Sequence, residues 1–186
     1  ELERLVDTAG ARVVGREIQS RPAPDVATYI GRGKAEEVEL LRREMEFDFV
    51  IVDDELTPVQ QRNLERIIDC QVIDRTAVIL DIFALRARTR EAKLQVELAQ
   101  LSYRLPRLTG KGIELSRQAG SAGGVFNRGP GETKLEVDRR RIRDRMAALR
   151  RELEEIKAHR ARLRAERATS AIPVVALTGY TNAGKS

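Results

Sequence analysis

The 186-residue sequence has no tryptophan, one cysteine and one histidine, and only 4% of its residues are aromatic. A single cysteine, Cys70, excludes an internal disulfide and a thiolate metal site, which is typical of proteins from a reducing compartment. We interpret Cys70 as a small buried hydrophobe at the start of a strand. His159 lies in a charged helical run with no second ligand nearby, which argues against a histidine-based metal or catalytic centre.

Long apolar runs are also missing. No stretch reaches the roughly 18 uncharged apolar residues of a membrane span, and the sequence does not open with the basic-then-apolar pattern of a signal peptide. We therefore expect a cytoplasmic protein without a membrane span. Charged residues make up 34% of the chain, which is typical of proteins with long, exposed helices. The length fits one ordinary domain or two small ones.

The net charge of +5 is unevenly distributed along the chain. Residues 1–101 carry 15 basic and 20 acidic groups, whereas residues 102–167 carry 18 basic and 9 acidic groups. An acidic first half joined to a basic second half indicates that only one part of the molecule meets a polyanion.

Residues 1–75 alternate strand-like and helix-like segments. Three segments rich in β-branched or apolar residues, 11–18, 47–54 and 71–75, predict strands. A helix over residues 34–45 separates the first two, and Thr57 followed by Pro58 predicts the start of a helix between the second and third. This alternation predicts a small α/β domain with a parallel β-α-β sheet.

Residues 76–168 predict a long antiparallel α-helical hairpin of the coiled-coil type. The segment 76–105 contains no glycine or proline, and the second helix begins near Glu132. Apolar residues of the second helix recur every seven positions, at Leu135, Ile142, Leu149, Ile156 and Leu163. Such a heptad over about 54 Å needs a partner along its length. An intramolecular hairpin makes the chain a monomer. The alternative is an intermolecular coiled coil, as in a non-enzymatic adaptor that binds a protein partner.

The segment 106–131 connects the two helices and holds seven of the thirteen glycines. The segment contains several basic residues but only one acidic residue, Glu114. The tip of the hairpin is therefore glycine-rich and basic, a composition that favours binding to RNA phosphates. Aromatic rings at Tyr103 and Phe126 can stack on unpaired bases. The predicted RNA-binding residues are Arg104, Arg107, Lys111, Arg117, Phe126, Arg128, Gly129 and Gly131. Composition alone leaves open a basic loop without a partner.

Two further basic features have both a functional and a plain structural interpretation. Seven arginines between residues 139 and 151 lie on the helix behind the tip. They extend the basic surface or form a solvated face with helical ion pairs. The segment 31–34, Gly-Arg-Gly-Lys, lies at a predicted helix start. It is an anion site or a simple turn and cap.

Residues 169–186 predict a linker, the first strand of a truncated G domain at 174–179, and a P-loop. Glycine, four residues, then Gly-Lys-Ser after a strand is a specific phosphate-binding signature. Backbone N–H groups surround the phosphates, Lys185 reaches the outer phosphates, and the Ser186 hydroxyl reaches Mg²⁺. The predicted nucleotide-binding residues are Gly179, Tyr180, Thr181, Asn182, Ala183, Gly184, Lys185 and Ser186. No catalytic residue is predicted, since the elements for hydrolysis are absent from these 186 residues, which we expect to be inactive alone.

Five stretches together resemble the HflX family of ribosome-associated GTPases. The resemblance covers nearly the whole chain from about residue 10, and the Arg-Gly-Pro-Gly-Glu of residues 128–132 is especially specific. The stretches are YIGRGKAEE, FVIVDDELTPVQQRNLE, VIDRTAVILDIFALRARTREAKLQVELAQLSYRLPRLTG, RGPGETKLEVDRRRIRDR and VALTGYTNAGKS.

The resemblance implies three parts: a small α/β domain, a helical hairpin and a G domain switched by GTP and Mg²⁺. It implies that the hairpin tip reaches RNA of the large ribosomal subunit and that the G domain controls subunit separation. It also extends to ATP in some members, although no motif here locates such a site. Phe126 departs from the family by standing where its loop has a glycine, which restricts the backbone and adds a ring that can stack.

Overall fold

The computed structural model describes residues 1–108, 130–169, 175, 176, 178 and 179, with only the backbone of residues 130–134. Helices dominate this part of the chain, around a small parallel sheet of two strands. The elements in chain order are α1 (Leu2–Thr8), α2 (Arg32–Met45), β1 (Phe49–Val52), α3 (Pro58–Ile68), β2 (Gln71–Asp74), α4 (Arg75–Arg86), α5 (Arg90–Arg107) and α6 (Pro130–Ala168).

Strands β1 and β2 form the predicted parallel β-α-β unit, with α3 as the crossover. Their register pairs Phe49 with Gln71 and Val52 with Asp74, so both strands end at the same edge of the sheet. Helices α2 and α3 pack together and supply apolar side chains to one buried core. That core contains Ala35, Val38, Leu56, Leu64, Ile68 and Val72. Cys70 packs at its border and is only partly buried, whereas the sequence predicts a buried hydrophobe; this burial raises the pKa of its thiol.

Helix α3 begins where the sequence predicts. The Thr57 hydroxyl accepts a hydrogen bond from the Gln60 backbone N–H, and the Gln60 side chain accepts one from the Thr57 N–H. Pro58 occupies the first helical position. This reciprocal capping box satisfies two donors that a helix start leaves unpaired.

The predicted strand over residues 11–18 is wrong for this chain. These residues lie outside the sheet, and Val13, Val14 and Ile18 are exposed. β-Branched residues favour a strand only when a neighbouring strand supplies a hydrogen-bonded ladder. Helix α1, which the sequence analysis does not predict, precedes this segment and buries Val6.

The single helix expected over residues 76–105 is also wrong, because it divides into α4 and α5. Helix α4 ends at Arg86, and α5 starts again after Thr89, whose hydroxyl accepts a hydrogen bond from the Ala92 N–H at 3.1 Å. The cap stabilises a new helix start without any glycine or proline. The two helices pack against each other, so the chain turns back toward the sheet.

Helix α5 packs against the middle of α6 in the opposite direction. Arg90 and Glu91, at the start of α5, pair with Glu152 and Arg160 of α6, whereas Glu97 pairs with Arg145. The buried contacts between the helices come from Leu94, Leu149 and Leu153, with Leu98, Leu101 and Ile156 partly buried around them.

The heptad of α6 is longer than the partner that it meets. Eighteen residues of α5 extend about 27 Å, whereas the 39 residues of α6 extend about 58 Å. Leu149 is therefore fully buried, while Leu135 and Leu163 near the two ends are only half-buried.

The strand predicted over residues 174–179 is not formed among its described residues. Val175 is 78% exposed, and Ala176, Thr178 and Gly179 are exposed outside any strand. A first strand of a further sheet has no ladder without its neighbours. No helix in the described part of the chain is long and apolar enough to cross a membrane.

Candidate nucleic-acid interface

The predicted site residues fall into two groups in this structure. Arg104 and Arg107 are described with their side chains, and Gly131 lies in the backbone of α6. Gly179 is the only described residue of the predicted P-loop. Outside the described residues lie the RNA-binding candidates Lys111, Arg117, Phe126, Arg128 and Gly129, and the nucleotide-binding candidates Tyr180, Thr181, Asn182, Ala183, Gly184, Lys185 and Ser186.

Arg107 lies inside the molecule rather than facing a ligand. Its guanidinium donates to the Asp74 carboxylate at 2.9 Å, to the Leu56 carbonyl oxygen at 2.8 Å and to the Gln61 side-chain oxygen at 2.8 Å. It also lies over the Tyr103 ring, 3.4 Å from the ring centroid. With its donors occupied and a side chain only 15% exposed, Arg107 anchors α5 to the sheet domain. We withdraw it from the predicted RNA contacts.

Asp74 is the other half of this anchor. Its side chain is fully buried at the end of β2, where it also caps α4 by accepting from the Ala77 N–H at 2.8 Å. A longer hydrogen bond, at 3.3 Å, comes from the Leu56 N–H. A buried carboxylate is tolerated when a cation and N–H donors surround it, as here. We call Asp74, Arg107, Tyr103, Leu56 and Gln61 the Asp74 junction.

Tyr103 contributes its ring to this junction rather than to stacking on a base. Its hydroxyl is buried without a hydrogen bond of good geometry. Burial first, and then the neighbouring Asp74 carboxylate, raise the pKa of the phenol. The phenol therefore stays neutral at physiological pH, and the ring is covered by the Arg107 guanidinium.

The junction determines where the glycine-rich segment leaves the helix. The sequence analysis places that segment at the tip of a hairpin, but its N-terminal end lies beside the sheet domain. Leu108, the last described residue before the gap, directly follows Arg107, which contacts the carboxyl edge of the sheet. Helix α5 returns to that edge because α4 and α5 fold back on each other.

Arg104 is exposed, as an RNA contact requires. It lies one turn before Arg107 and makes no ion pair with the residues that the structure describes. Basic composition predicts an RNA contact for both Arg104 and Arg107, but the structure gives them different surroundings. One anchors the helix, and the other presents charge at the start of the basic segment.

The rest of the carboxyl edge is polar and already paired. Arg75 binds Asp53 at 3.0 Å and Glu1 at 2.6 Å, and the Tyr29 hydroxyl donates to Asp54 at 2.9 Å. Burial and that hydrogen bond raise the pKa of Tyr29. No cluster of three or more potential metal ligands occurs in the described ranges. This edge therefore positions α4 and α5.

Lys34 of the Gly-Arg-Gly-Lys segment is occupied as well. It pairs with Glu17 and, at 3.0 Å, with Glu37, and these carboxylates raise the pKa of its ammonium. Gly31 is the N-cap of α2. These contacts favour the turn-and-cap interpretation of this segment.

Sequence reasoning missed the role of Asp74 because its partner is 33 residues away along the chain. One local signal was available: an aspartate at the end of a strand, directly before a helical run, is a typical N-cap. Nothing local distinguishes Arg107 from Arg104, since only the fold brings one of them to Asp74.

The fold agrees with the comparisons to known proteins. Two family models, described as "GTP-binding GTPase N-terminal" and "GTP-binding GTPase Middle Region", match residues 1–84 and 86–167. They define the class as one of GTP-binding proteins. Curated relatives named GTPase HflX are 54% and 47% identical to this chain over its whole length, so the chain belongs to the HflX family of GTPases, as the resemblance of its motifs predicts. The two models meet at residue 85, in the last turn of α4 and just before the helix divides.

Curated relatives match the chain from end to end. GTPase HflX of Caldanaerobacter subterraneus subsp. tengcongensis is 54% identical over 186 residues, and that of Escherichia coli is 47% identical. In both comparisons all of this chain is covered but only 43% of the relative. The chain thus spans less than half the length of the relatives that it matches.

Solved structures share the architecture. A GTP-binding protein from the archaeon Sulfolobus solfataricus in complex with GDP is 27% identical, with a TM-score of 0.55 over 83% of this chain and 40% of its own. A second structure, of SsGBP with GDP, is 28% identical, with a TM-score of 0.61 over 85% of this chain and 40% of its own.

Proposed function

We propose that this chain is the N-terminal part of a cytoplasmic GTP-binding protein that associates with the large ribosomal subunit. In this proposal, residues 1–75 form the small α/β domain, and residues 76–168 form a helical hairpin whose basic segment 106–131 contacts ribosomal RNA. Residues 169–186 begin the G domain. GTP hydrolysis switches the binding, in ribosome splitting, recycling or biogenesis.

Nucleotide binding is supported by family membership and by the motif. The curated relatives are named GTPases, and the similar solved structures are complexes with GDP. The P-loop spacing from Gly179 to Ser186 matches this role. When bound, Mg²⁺ would neutralise phosphate charge, with Ser186 as its ligand from this chain. We expect guanine specificity and catalysis to reside in residues after Ser186.

RNA binding rests on one observation above the others: a glycine-rich basic segment starts from a helix end that is fixed in place. Arg107 and Asp74 immobilise the end of α5, so this helix end need not be ordered when RNA binds. Arg104 adds an exposed charge beside it. Cationic side chains on such a segment neutralise phosphates without requiring a preset surface.

The test of RNA binding uses purified large ribosomal subunits and co-sedimentation. We expect the double variant Arg104→Ala/Arg128→Ala to weaken binding about tenfold or more at moderate salt, because two phosphate contacts are lost. A matched control, Arg164→Ala/Arg167→Ala, removes the same charge from the far end of α6. Equal binding by both variants would refute the role of the segment.

The test of nucleotide binding uses the protein extended through its whole G domain. Replacing Lys185 with alanine removes the charge that reaches the outer phosphates, so we expect loss of GTP binding without loss of the fold. Retention of full affinity would contradict the proposed P-loop.

A second candidate, the coiled-coil adaptor, draws on the heptad positions that α5 leaves half-covered, Leu135 and Leu163. Sedimentation distinguishes the two functions. A monomer in solution supports the intramolecular helix pair, whereas a dimer that dissociates upon Leu163→Lys supports the adaptor.

A further inference from the structure

The seven arginines between residues 140 and 160 of α6 fall into two sets that differ in what they contact. Those in the first set are held by carboxylates: Arg145 forms two hydrogen bonds with Glu97, at 2.7 and 2.8 Å, and Arg160 pairs with Glu91. Arg141 lies within 3.7 Å of Asp138. Those in the second set, Arg140, Arg143, Arg150 and Arg151, are exposed and have no ion-pair partner among the described residues.

The second set shares one face of the helix. At about 100° per residue, the four positions lie within about 100° of one another. Their face is turned by about 120° from the side that buries Met146, Leu149 and Leu153. From Arg140 to Arg151 the face extends about 16 Å along the axis. We call these four arginines the outer arginine face.

The charge on this face is not balanced locally. Between residues 140 and 151 the acidic residue is Asp144, which lies at the border of the outer arginine face. Glu136 and Glu154 lie about one helical turn before Arg140 and after Arg151. Glu154 is already paired with Lys157 at 2.7 Å. Four cations against one acid over three helical turns repel one another, which favours the binding of a polyanion.

From this arrangement we propose that the outer arginine face binds the phosphate backbone of structured RNA, at a second site separate from the segment 106–131. The guanidinium fork matches phosphate oxygens bidentately, better than a lysine would. Duplex nucleic acid carries roughly one charge per 1.7 Å of axis, so a strip of about 16 Å meets enough phosphates for all four arginines. The choice of RNA rests on the proposed ribosomal function.

The face fits other macromolecules poorly. Its nonpolar member is Ala147, so it lacks the aromatic or aliphatic anchors that concentrate binding energy between proteins. It also lacks the Trp, Phe or Leu that an interfacial helix inserts into a lipid surface. A regular backbone of phosphates is the ligand that needs charge alone.

The experiment measures the affinity of the chain for purified large ribosomal subunits and for an RNA duplex of about 20 base pairs. Affinities are taken between about 50 and 200 mM salt, where each phosphate contact contributes about 0.7 to 0.9 to the slope of log K against log salt. The test variant is Arg140→Gln/Arg151→Gln. Its control, Arg164→Gln/Arg167→Gln, removes equal charge from exposed positions on other faces of α6.

We expect the test variant to lower the slope by about 1.5 and to weaken duplex binding about tenfold. The control variant should match the parent chain. Arg140→Lys/Arg151→Lys should restore the slope but only part of the affinity. Because glutamine is a good helix former, helicity and the unfolding midpoint should be unchanged in every variant.

Three results would overturn the proposal: unchanged binding by the test variant, equal losses in test and control, or a larger loss on phosphatidylserine vesicles than on RNA. Different results would show that the proposed ribosomal function itself is wrong. In that case the Arg104→Ala/Arg128→Ala variant binds subunits normally, or neither probe is bound by the parent chain.

Discussion

Replacing Arg107 with alanine should destabilise the fold far more than replacing Arg104, one helical turn earlier, with alanine. The substitution removes the cation from a carboxylate that is fully buried, together with hydrogen bonds to Leu56 and Gln61. Breaking a buried ion pair by removing one partner costs about 3–5 kcal/mol. Asp74 keeps N–H donors from Ala77 and Leu56, and Arg107 is 15% exposed. We therefore expect about 2–4 kcal/mol.

The assay is urea unfolding followed by far-ultraviolet circular dichroism, since the chain has no tryptophan. The matched control is Arg104→Ala, which removes the same side chain from an exposed position and should change stability by less than about 0.5 kcal/mol. Asp74→Asn retains a cap while removing the charge. A double-mutant cycle with Arg107→Ala should then show coupling of about 1–3 kcal/mol.

The reasoning would be refuted if Arg107→Ala and Arg104→Ala had equal effects, or if the cycle showed no coupling. Either result would mean that the contact between Arg107 and Asp74 does not hold the end of α5 at the sheet.

Two further perturbations test other parts of the fold. Leu149→Ala should lower the free energy of unfolding by about 2–5 kcal/mol, because Leu149 is fully buried between α5 and α6. Leu163→Ala, at a half-buried position, should lower it by less than about 1 kcal/mol. Similar losses in the two variants would contradict the observed helix packing. The raised pKa of Tyr103 means that its contribution to stability is complete below the unfolded pKa near 10 and is lost as the pH rises above it. Tyr103→Phe should therefore leave the free energy of unfolding at pH 7 nearly unchanged and should reduce the loss of stability between about pH 9 and 11. If the variant and the parent chain lost stability equally with rising pH, the raised pKa of Tyr103 would be contradicted.

Those parts of the fold that depend on local signals could be predicted from the sequence. The capping box at Thr57, the parallel strands and the long second helix each follow from a pattern within a few residues. The division between α4 and α5 was missed, although Thr89 followed by Glu91 in the first turn is a recognisable helix start. A run without glycine or proline permits one long helix, but it does not prevent a break followed by a new N-cap.

The parts that depend on long-range contacts could not be predicted. The segment 11–18 has the residues of a strand but lies outside the sheet, and pairing is decided by neighbours rather than by propensity. Arg107 and Arg104 look alike in sequence, and only the return of α5 to the sheet gives one of them a buried partner. Basic composition therefore predicts the charge of a segment better than it predicts which arginines are free to bind.

The most direct measurement replaces residues 109–129 with a glycine-serine linker of equal length and measures binding to purified large ribosomal subunits. The replacement begins after Leu108, so that the contact between Arg107 and Asp74, and with it the position of α5, is retained. If the segment is the principal RNA contact, affinity should fall by about tenfold or more and its salt dependence should become shallower. Unchanged affinity in a variant with unchanged helicity would contradict the proposed function.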